Sequence, residues 1–254
     1  MFPLLLALGT ARAIPEDMCV FLLATPGSGS TTMLELFKGH TPCEMSGENS
    51  RAFGSLAQFD AAIDQTDKMH ATMPMGHDQD AWHGVYTRDE VRGAEKALAR
   101  SVLNPRGQRC WGFKEIRHGR PPSMSFSRDV AFLRSLCAQP RVVLHTRRDI
   151  ADELSSRIIR QNIANADATR VQWACFETFL GNRSAVAAHG LSRSDASLVT
   201  KGCQPIAGGA AVPVAISHTL EDYVEDNVNH DRLWAYLGLE KPKHSTGIHS
   251  KSGR

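Results

Sequence analysis

Among the six cysteines of this chain there is no Cys-x-x-Cys pair, and nowhere is there a His-Glu-x-x-His. Those two absences remove support for a zinc ribbon, a thioredoxin-type redox site and a zincin-type metal site. Charge of one sign is also scarce. The balance of 29 Lys+Arg against 27 Asp+Glu leaves a formal net charge of +2, too small to argue for a nucleic-acid partner. No apolar run is long enough to span a bilayer, and no internal repeat is visible. With 42% hydrophobic residues, 22% charged residues and 20 glycines, the composition is neither collagenous nor that of a wholly disordered chain. At 254 residues it suits one α/β domain with a sizeable core and is short for two.

Cys19, Cys43, Cys110, Cys137, Cys175 and Cys203 are widely spaced; they read as buried small hydrophobes, and their even number permits disulfides in an oxidising lumen. The start, Met1 to Ala13, has a short apolar core and an Ala-x-Ala-like end but no basic region before it, so a signal peptide, an anchor remnant and a disordered leader all stay open. Asn182-Arg183-Ser184 is a glycosylation sequon, relevant only in the secretory pathway.

The rest of the chain is organised around Val20 to Lys38. Val20 to Ala24 is a continuous apolar run, as expected of a strand buried on both faces of a parallel sheet. Thr25-Pro26-Gly27-Ser28-Gly29-Ser30 then turns, and Thr31 to Lys38 reads as a helix with Met33, Leu34 and Phe37 on one side. A strand, a glycine-serine loop and a helix make an anion cradle, because the first helical turn has unpaired N–H groups and the positive end of the helix dipole. The ATP-binding form of this loop needs a lysine that reaches the β and γ phosphates, and none occurs between Val20 and Glu35. An ordinary P-loop NTPase is therefore disfavoured.

A second motif is Arg141 to Ser155, in which Arg147 stands at a strand end and Ser155 follows eight residues later. The two motifs together resemble the sulfotransferases that use 3′-phosphoadenosine 5′-phosphosulfate (PAPS). The resemblance implies that Pro26, Gly27, Ser28, Gly29, Ser30, Thr31 and Thr32 bind the 5′-phosphosulfate, and that Arg147 and Ser155 bind the 3′-phosphate. Three further stretches are similar to the same family: Ser46 to Asn49, with a glutamate after the second strand; Trp111-Gly112-Phe113-Lys114-Glu115-Ile116-Arg117, similar to carbohydrate sulfotransferases; and Thr219 to Tyr223 with Leu233 to Leu239. The resemblance spans about residues 20 to 240. It departs at Gly27, where most members carry Lys or Arg against the bridging oxygen of the leaving phosphate.

In chain order, Cys43 to Ser46 is expected as a second strand leading to Glu48, which is either the general base or the cap of a helix through Phe59. Asp60 to Gly84, rich in Met, His and Asp, reads as a mobile loop on the substrate side rather than a metal site. A helix runs from Thr87 to about Leu103, and Cys110 to Ile116 is a third strand. Lys114 at its end is the substitute for the cation missing at Gly27; Glu115, on the other face, is a second base candidate or a salt-bridge partner. Arg117 and His118 are assigned to the acceptor. A helix over 127–138, a strand over Arg141 to Thr146, a helix carrying Ile150, Leu154 and Ile158, and another over Asp167 to Gly181 follow. Arg148 reads as a surface or acceptor-side charge. Leu191 to Ala211 is expected as a surface excursion, Val212 to Ser217 as the last strand, and Glu221 to Leu239 as one or two closing helices.

The expectation is thus a three-layer α/β fold, a central parallel sheet of P-loop type flanked by helices. A leader or signal-like segment fills 1–18, the sulfotransferase domain 19–240 and a polar tail 241–254. The implied activity is transfer of a sulfuryl group from PAPS to a hydroxyl, of a carbohydrate by the resemblance, leaving adenosine 3′,5′-bisphosphate (PAP). No metal and no nucleic acid are expected, and membrane association only through an anchor. The secretory pathway or Golgi lumen is the expected compartment, with the cytoplasm as the alternative. A non-catalytic PAPS-fold binding protein and a P-loop kinase remain the rival readings.

Overall fold

A computed structural model of the chain describes residues 16–72, 86–119, 125–161, 164–206 and 213–242. Within them, β1 (Met18–Ala24), β2 (Cys43–Ser46), β3 (Cys110–Glu115), β4 (Gln139–Thr146) and β5 (Ile216–Thr219) form one sheet in the order β2-β3-β1-β4-β5. All four pairings are parallel. β1 lies at the centre with none of its seven residues exposed, as its unbroken apolar sequence requires.

Side chains alternate across the sheet and sort into two cores. On one face Cys19, Phe21, Leu23, Trp111, Phe113, Val142 and Leu144 pack against α2 (Ala52–Thr72), α3 (Arg88–Leu103), α4 (Phe126–Ser135), α6 (Ala164–Phe179) and α8 (Arg193–Gly202). On the other, Met18, Val20, Leu22, Cys110 and Val143 meet α1 (Ser30–His40), α9 (Leu220–Val224) and α10 (Val228–Leu237). The remaining helices are α5 (Ile150–Gln161), laid against α6, and the short α7 (Ala185–Ala188). Gly112 is required where β1 and β3 approach most closely, since a Cβ there would stand 1.8 Å from the Val20 carbonyl oxygen.

Two stretches expected to be irregular are helical. Residues 60–72 continue α2, because Ala61, Ala62 and Ile63 extend its helical run with no glycine or proline to stop it; Met73 to Gly84 lie outside the described residues. Within 191–211, Ser192 caps α8 by accepting from the Asp195 N–H, and Val199 anchors that helix in the core. The last strand is Ile216–Thr219, beyond Pro213, which has no N–H for the ladder; Val212, where it was expected to start, lies outside the described residues.

All six cysteines are paired: Cys19 with Cys137, Cys43 with Cys110, and Cys175 with Cys203. The first staples β1 to the turn before β4, the second ties β2 to β3, and the third fastens the end of α8 to α6. Disulfides are compatible with a secreted protein. No described helix is long and apolar enough to cross a membrane.

The bridges lead to a direct expectation. Denatured, unreduced protein has essentially no free thiol, and peptide mapping recovers these three pairs. Opening the shortest loop, of 28 residues, with Cys203→Ala lowers stability by about 3–4 kcal/mol in a denaturant titration. Reactive thiols on unreduced protein contradict the pairing.

Candidate functional site

The chain leaves β1 into a loop shaped by two glycines, Gly27 at φ 89° and Gly29 at φ 82°. Gly29 caps α1 in the left-handed region, where a side chain would be strained, and a Cβ there would also press on Leu220 Cδ2 at 2.7 Å. The Ser28 N–H turns back to the Thr25 carbonyl at 3.3 Å, and the Thr32 and Met33 N–H groups both reach the Gly29 carbonyl. Among the described residues, no acceptor serves the N–H groups of Gly27, Gly29, Ser30 and Thr31. Ser28 is fully buried, and its Oγ has no hydrogen-bond partner. A ring of unfilled donors at a helix N-terminus is suited to an oxyanion.

The loop stands where two adjacent strand ends send their chains to opposite faces of the sheet. α1 runs back over the face of Val20 and Leu22, whereas α5, after the neighbouring strand β4, lies with α6 toward the opposite face. Chains that leave adjacent strand ends to opposite sides create the gap in which open α/β sheets bind ligands. Ala24 pairs with His145, so Arg147 emerges beside the first loop residues.

Arg147 places its Nε 3.2 Å from Glu221 Oε1, and the Arg148 N–H donates to Glu221 Oε2 at 2.8 Å. One carboxylate at the start of α9 therefore aims the turn after β4, and among the described residues the two terminal nitrogens of Arg147 have no protein partner. Arg148 is an exposed surface charge, forked onto Glu225 at 2.8 and 2.7 Å. Ser155 is exposed on α5, about 200° around the helix from Glu153. Among the described residues, no hydrogen bond joins its side chain to the loop.

At the ends of β2 and β3, Glu48, Lys114 and Arg117 lie together. Glu48 accepts from Lys114 through Oε1 and from Arg117 through Oε2, the second contact at 3.2 Å. Lys114 is 5% exposed, and alternation turns it toward the α1 face, the side on which the loop feeds its helix. Glu115 faces the other way and is fully buried. Its oxygens accept the N–H groups of Asn49, Arg51, Ile116 and Arg117, and Arg117 Nη1 lies 3.1 Å away. Burial works against its charge, yet the donors from Arg51, Ile116 and Asn49, with His118 nearby, hold it below the usual carboxylate range. This geometry favours the salt-bridge alternative: Glu115 supports the turn after β2, where Ser50 and Arg51 adopt positive φ.

His118, assigned to the acceptor, is buried with Nδ1 3.0 Å from Asp129 Oδ2. Asp129 also takes Arg51 Nη2 at 3.1 Å and the Ser125 hydroxyl at 2.9 Å. His118 thus belongs to the framework beneath the site and does not line an acceptor surface.

Several supporting residues escape a reading of motifs. Glu153 Oε2 accepts from Thr25 Oγ1 at 2.7 Å and from Trp173 Nε1 at 2.9 Å, clamping the start of the loop to α5 and α6. Gln172 donates to the carbonyls of Ala24, Ile116 and His118, bridging the ends of β1 and β3. His145 Nε2 meets the Ser28 carbonyl oxygen at 3.0 Å from the opposite side. The available signal was a polar residue on an apolar stripe: Glu153 between Ile150 and Leu154, Gln172 beside Val171 and Trp173. Among the described residues no cluster of three or more His, Cys, Asp or Glu could hold a metal ion. A scan against protein-family models finds no match for the chain, and no curated protein matches it.

Burial, reinforced by His218, pushes His145 down to about 3; burial, reinforced by His230, pushes His218 down to about 4. Both rings are neutral in the folded protein at pH 5, whereas in the unfolded chain they take up protons below about 6.5. Each therefore weakens the fold as pH falls from about 6.5 toward its folded value. Glu95, raised to about 7 by burial and by Asp60, acts in the opposite direction over part of that range. The expected outcome is that the ring resonances of His145 and His218 stay flat between pH 8 and 5 in an NMR titration; a midpoint near 6.5 for either would show that its ring is solvated.

Proposed function

We propose that this chain transfers a sulfuryl group from PAPS to a hydroxyl group of a carbohydrate. The observation that carries the reading is the set of loop N–H groups that have no acceptor among the described residues at the start of α1, beside the end of the next strand, where Arg147 emerges. The strand order, with the loop on the central strand, supports a sheet of P-loop type. The carbohydrate acceptor rests on the resemblance of Trp111 to Arg117 alone. The three disulfides suit a secretory or Golgi lumen.

In this reading the loop holds the sulfuryl and 5′-phosphate oxygens, while the terminal nitrogens of Arg147 take the 3′-phosphate. The acceptor oxygen attacks sulfur. A new S–O bond forms as the bond between sulfur and the bridging oxygen breaks, and that oxygen leaves with the electron pair on PAP. Glu48 takes the hydroxyl proton, since each of its oxygens keeps a lone pair beyond its ion pair. As Glu48 is neutralised, its hold on Lys114 weakens, and the ammonium is released to stabilise charge on the leaving oxygens, in place of a cation at Gly27. Ser155 would close the 3′-phosphate site by its exposed hydroxyl.

Calorimetry with PAP, then labelled-sulfate transfer to carbohydrate, phenol and peptide acceptors, tests the reading. PAP binds, and sulfate passes to a carbohydrate. Arg147→Ala weakens PAP binding about tenfold or more. Glu48→Gln keeps the affinity and lowers turnover about 10²- to 10⁴-fold. PAP binding with no transfer to any acceptor would make the chain a binding protein, to which Gly27 already points. Magnesium-dependent ATP turnover without PAP binding would make it a kinase.

A further inference from the structure

Beneath the loop, on the face covered by α1 and α10, three buried histidines from three elements stand in a row. His145 of β4, His218 of β5 and His230 of α10 are each at most 1% exposed. His145 Nε2 is 3.0 Å from the Ser28 carbonyl oxygen, and its Nδ1 is 3.4 Å from His218 Nδ1. His218 Nε2 is 3.2 Å from His230 Nδ1, and His230 Nε2 is 2.9 Å from Trp234 Nε1.

The two ends of this row dictate where its protons lie. An indole N–H can only donate, so His230 Nε2 accepts, and the proton of a neutral His230 sits on Nδ1. That proton is given to His218 Nε2, which puts the His218 proton on Nδ1, facing His145 Nδ1. The His145 proton is then on Nε2, directed at Ser28. A carbonyl oxygen can only accept, so the far end agrees with the near one. The indole and three neutral rings supply one proton to each of the four contacts, and no other neutral assignment does.

The consequence for the loop comes from the peptide unit. A trans peptide is planar, with its C=O and N–H pointing in opposite directions. Fixing the Ser28 carbonyl inward on His145 therefore turns the Gly29 N–H away from the core. That N–H is one of those with no acceptor among the described residues. We propose that His145, His218 and His230, terminated by Trp234, form a positioning relay that locks the Ser28–Gly29 peptide and presents the Gly29 N–H to the bound anion. The anion's identity as the phosphosulfate end of PAPS rests on the function proposed above; the proton arrangement does not.

The test uses the full-length protein and has two arms. In the first, long-range ¹H–¹⁵N spectra of the histidine side chains assign each ring: His145 is expected protonated on Nε2, and His218 and His230 on Nδ1. In the second, PAP affinity and the Gly29 amide shift are compared for the wild type, Trp234→Phe and His145→Asn. Trp234→Phe keeps an aromatic ring in the core and removes only the terminal donor; it is expected to give His230 a mixture of tautomers, to move the Gly29 amide signal and to weaken PAP binding. His145→Asn, too short to reach Ser28, is expected to weaken PAP about tenfold, the contribution of one charge-assisted donor. A wild-type His145 protonated on Nδ1, or PAP affinity and Gly29 shift unchanged in both variants, overturns the relay and spares the nucleotide reading. No PAP binding by wild-type protein with the tautomers as assigned defeats the nucleotide reading, and the presentation of Gly29 falls with it.

Discussion

β1 passes through the middle of the sheet with hydrogen-bonded neighbours on both sides and no exposed residue, and the chain can leave it only past Ala24, between the ends of β3 and β4. The rest of the site follows from that exit. Gln172 secures the Ala24 carbonyl, Glu153 takes the Thr25 hydroxyl on one face, and His145 takes the Ser28 carbonyl on the other. The Ala24 and Ser28 carbonyls and the Thr25 hydroxyl are met by protein, whereas the buried Ser28 hydroxyl has no hydrogen-bond partner among the described residues. Among the described residues no acceptor serves the outward N–H groups of Gly27, Gly29, Ser30 and Thr31; Ser30 is buried, Gly29 half-buried, and Gly27 and Thr31 are exposed, and unfilled donors at a helix N-terminus favour an anionic ligand.

A second constraint acts at the edge formed by β2 and β3. Lys114 and Glu115 are consecutive, so the pleat sends them to opposite faces with opposite duties. Glu115 is enclosed by backbone donors and holds the turn that carries Glu48. Lys114 pairs with Glu48 itself. In the sulfuryl-transfer reading proposed above, the charge missing beside the loop proline at Gly27 would be delivered from the neighbouring strand by Lys114, next to the Glu48 carboxylate.

The strands and most helices were legible because their signals are local. β2 coincides with Cys43–Ser46 and α3 with the helix read from Thr87, whose capping box with Glu90 is present. The loop was legible from its glycines and serines, and alternation along β3 set Lys114 and Glu115 on opposite faces, but the pairing of Glu48 with both Lys114 and Arg117 was not. What escaped depends on pairing across the sequence. Cysteine count cannot assign Cys19 to Cys137, 118 residues apart. His118 looked accessible as part of a Gly/Pro loop, but Asp129 and Gln172 draw it and its backbone inward. The histidine row joins residues 145, 218 and 230, none of which forms a motif with its own neighbours. Residues 60–72 misled through composition: Met, His and Asp over Asp60 to Gly84 suggested a loop, yet 60–72 continue a helix, and Asp60 is held in place by Arg88 of α3.

The central claim is that backbone donors of one loop bind the anionic end of a nucleotide. It is tested most directly by following the amide resonances of the isotope-labelled protein as PAP is added. The account predicts saturable shifts concentrated at Gly27, Gly29, Ser30 and Thr31, with the Arg147 side-chain signals moving in step. Shifts that leave these amides still while other surfaces respond, or no response at all to PAP at millimolar concentration, would contradict it.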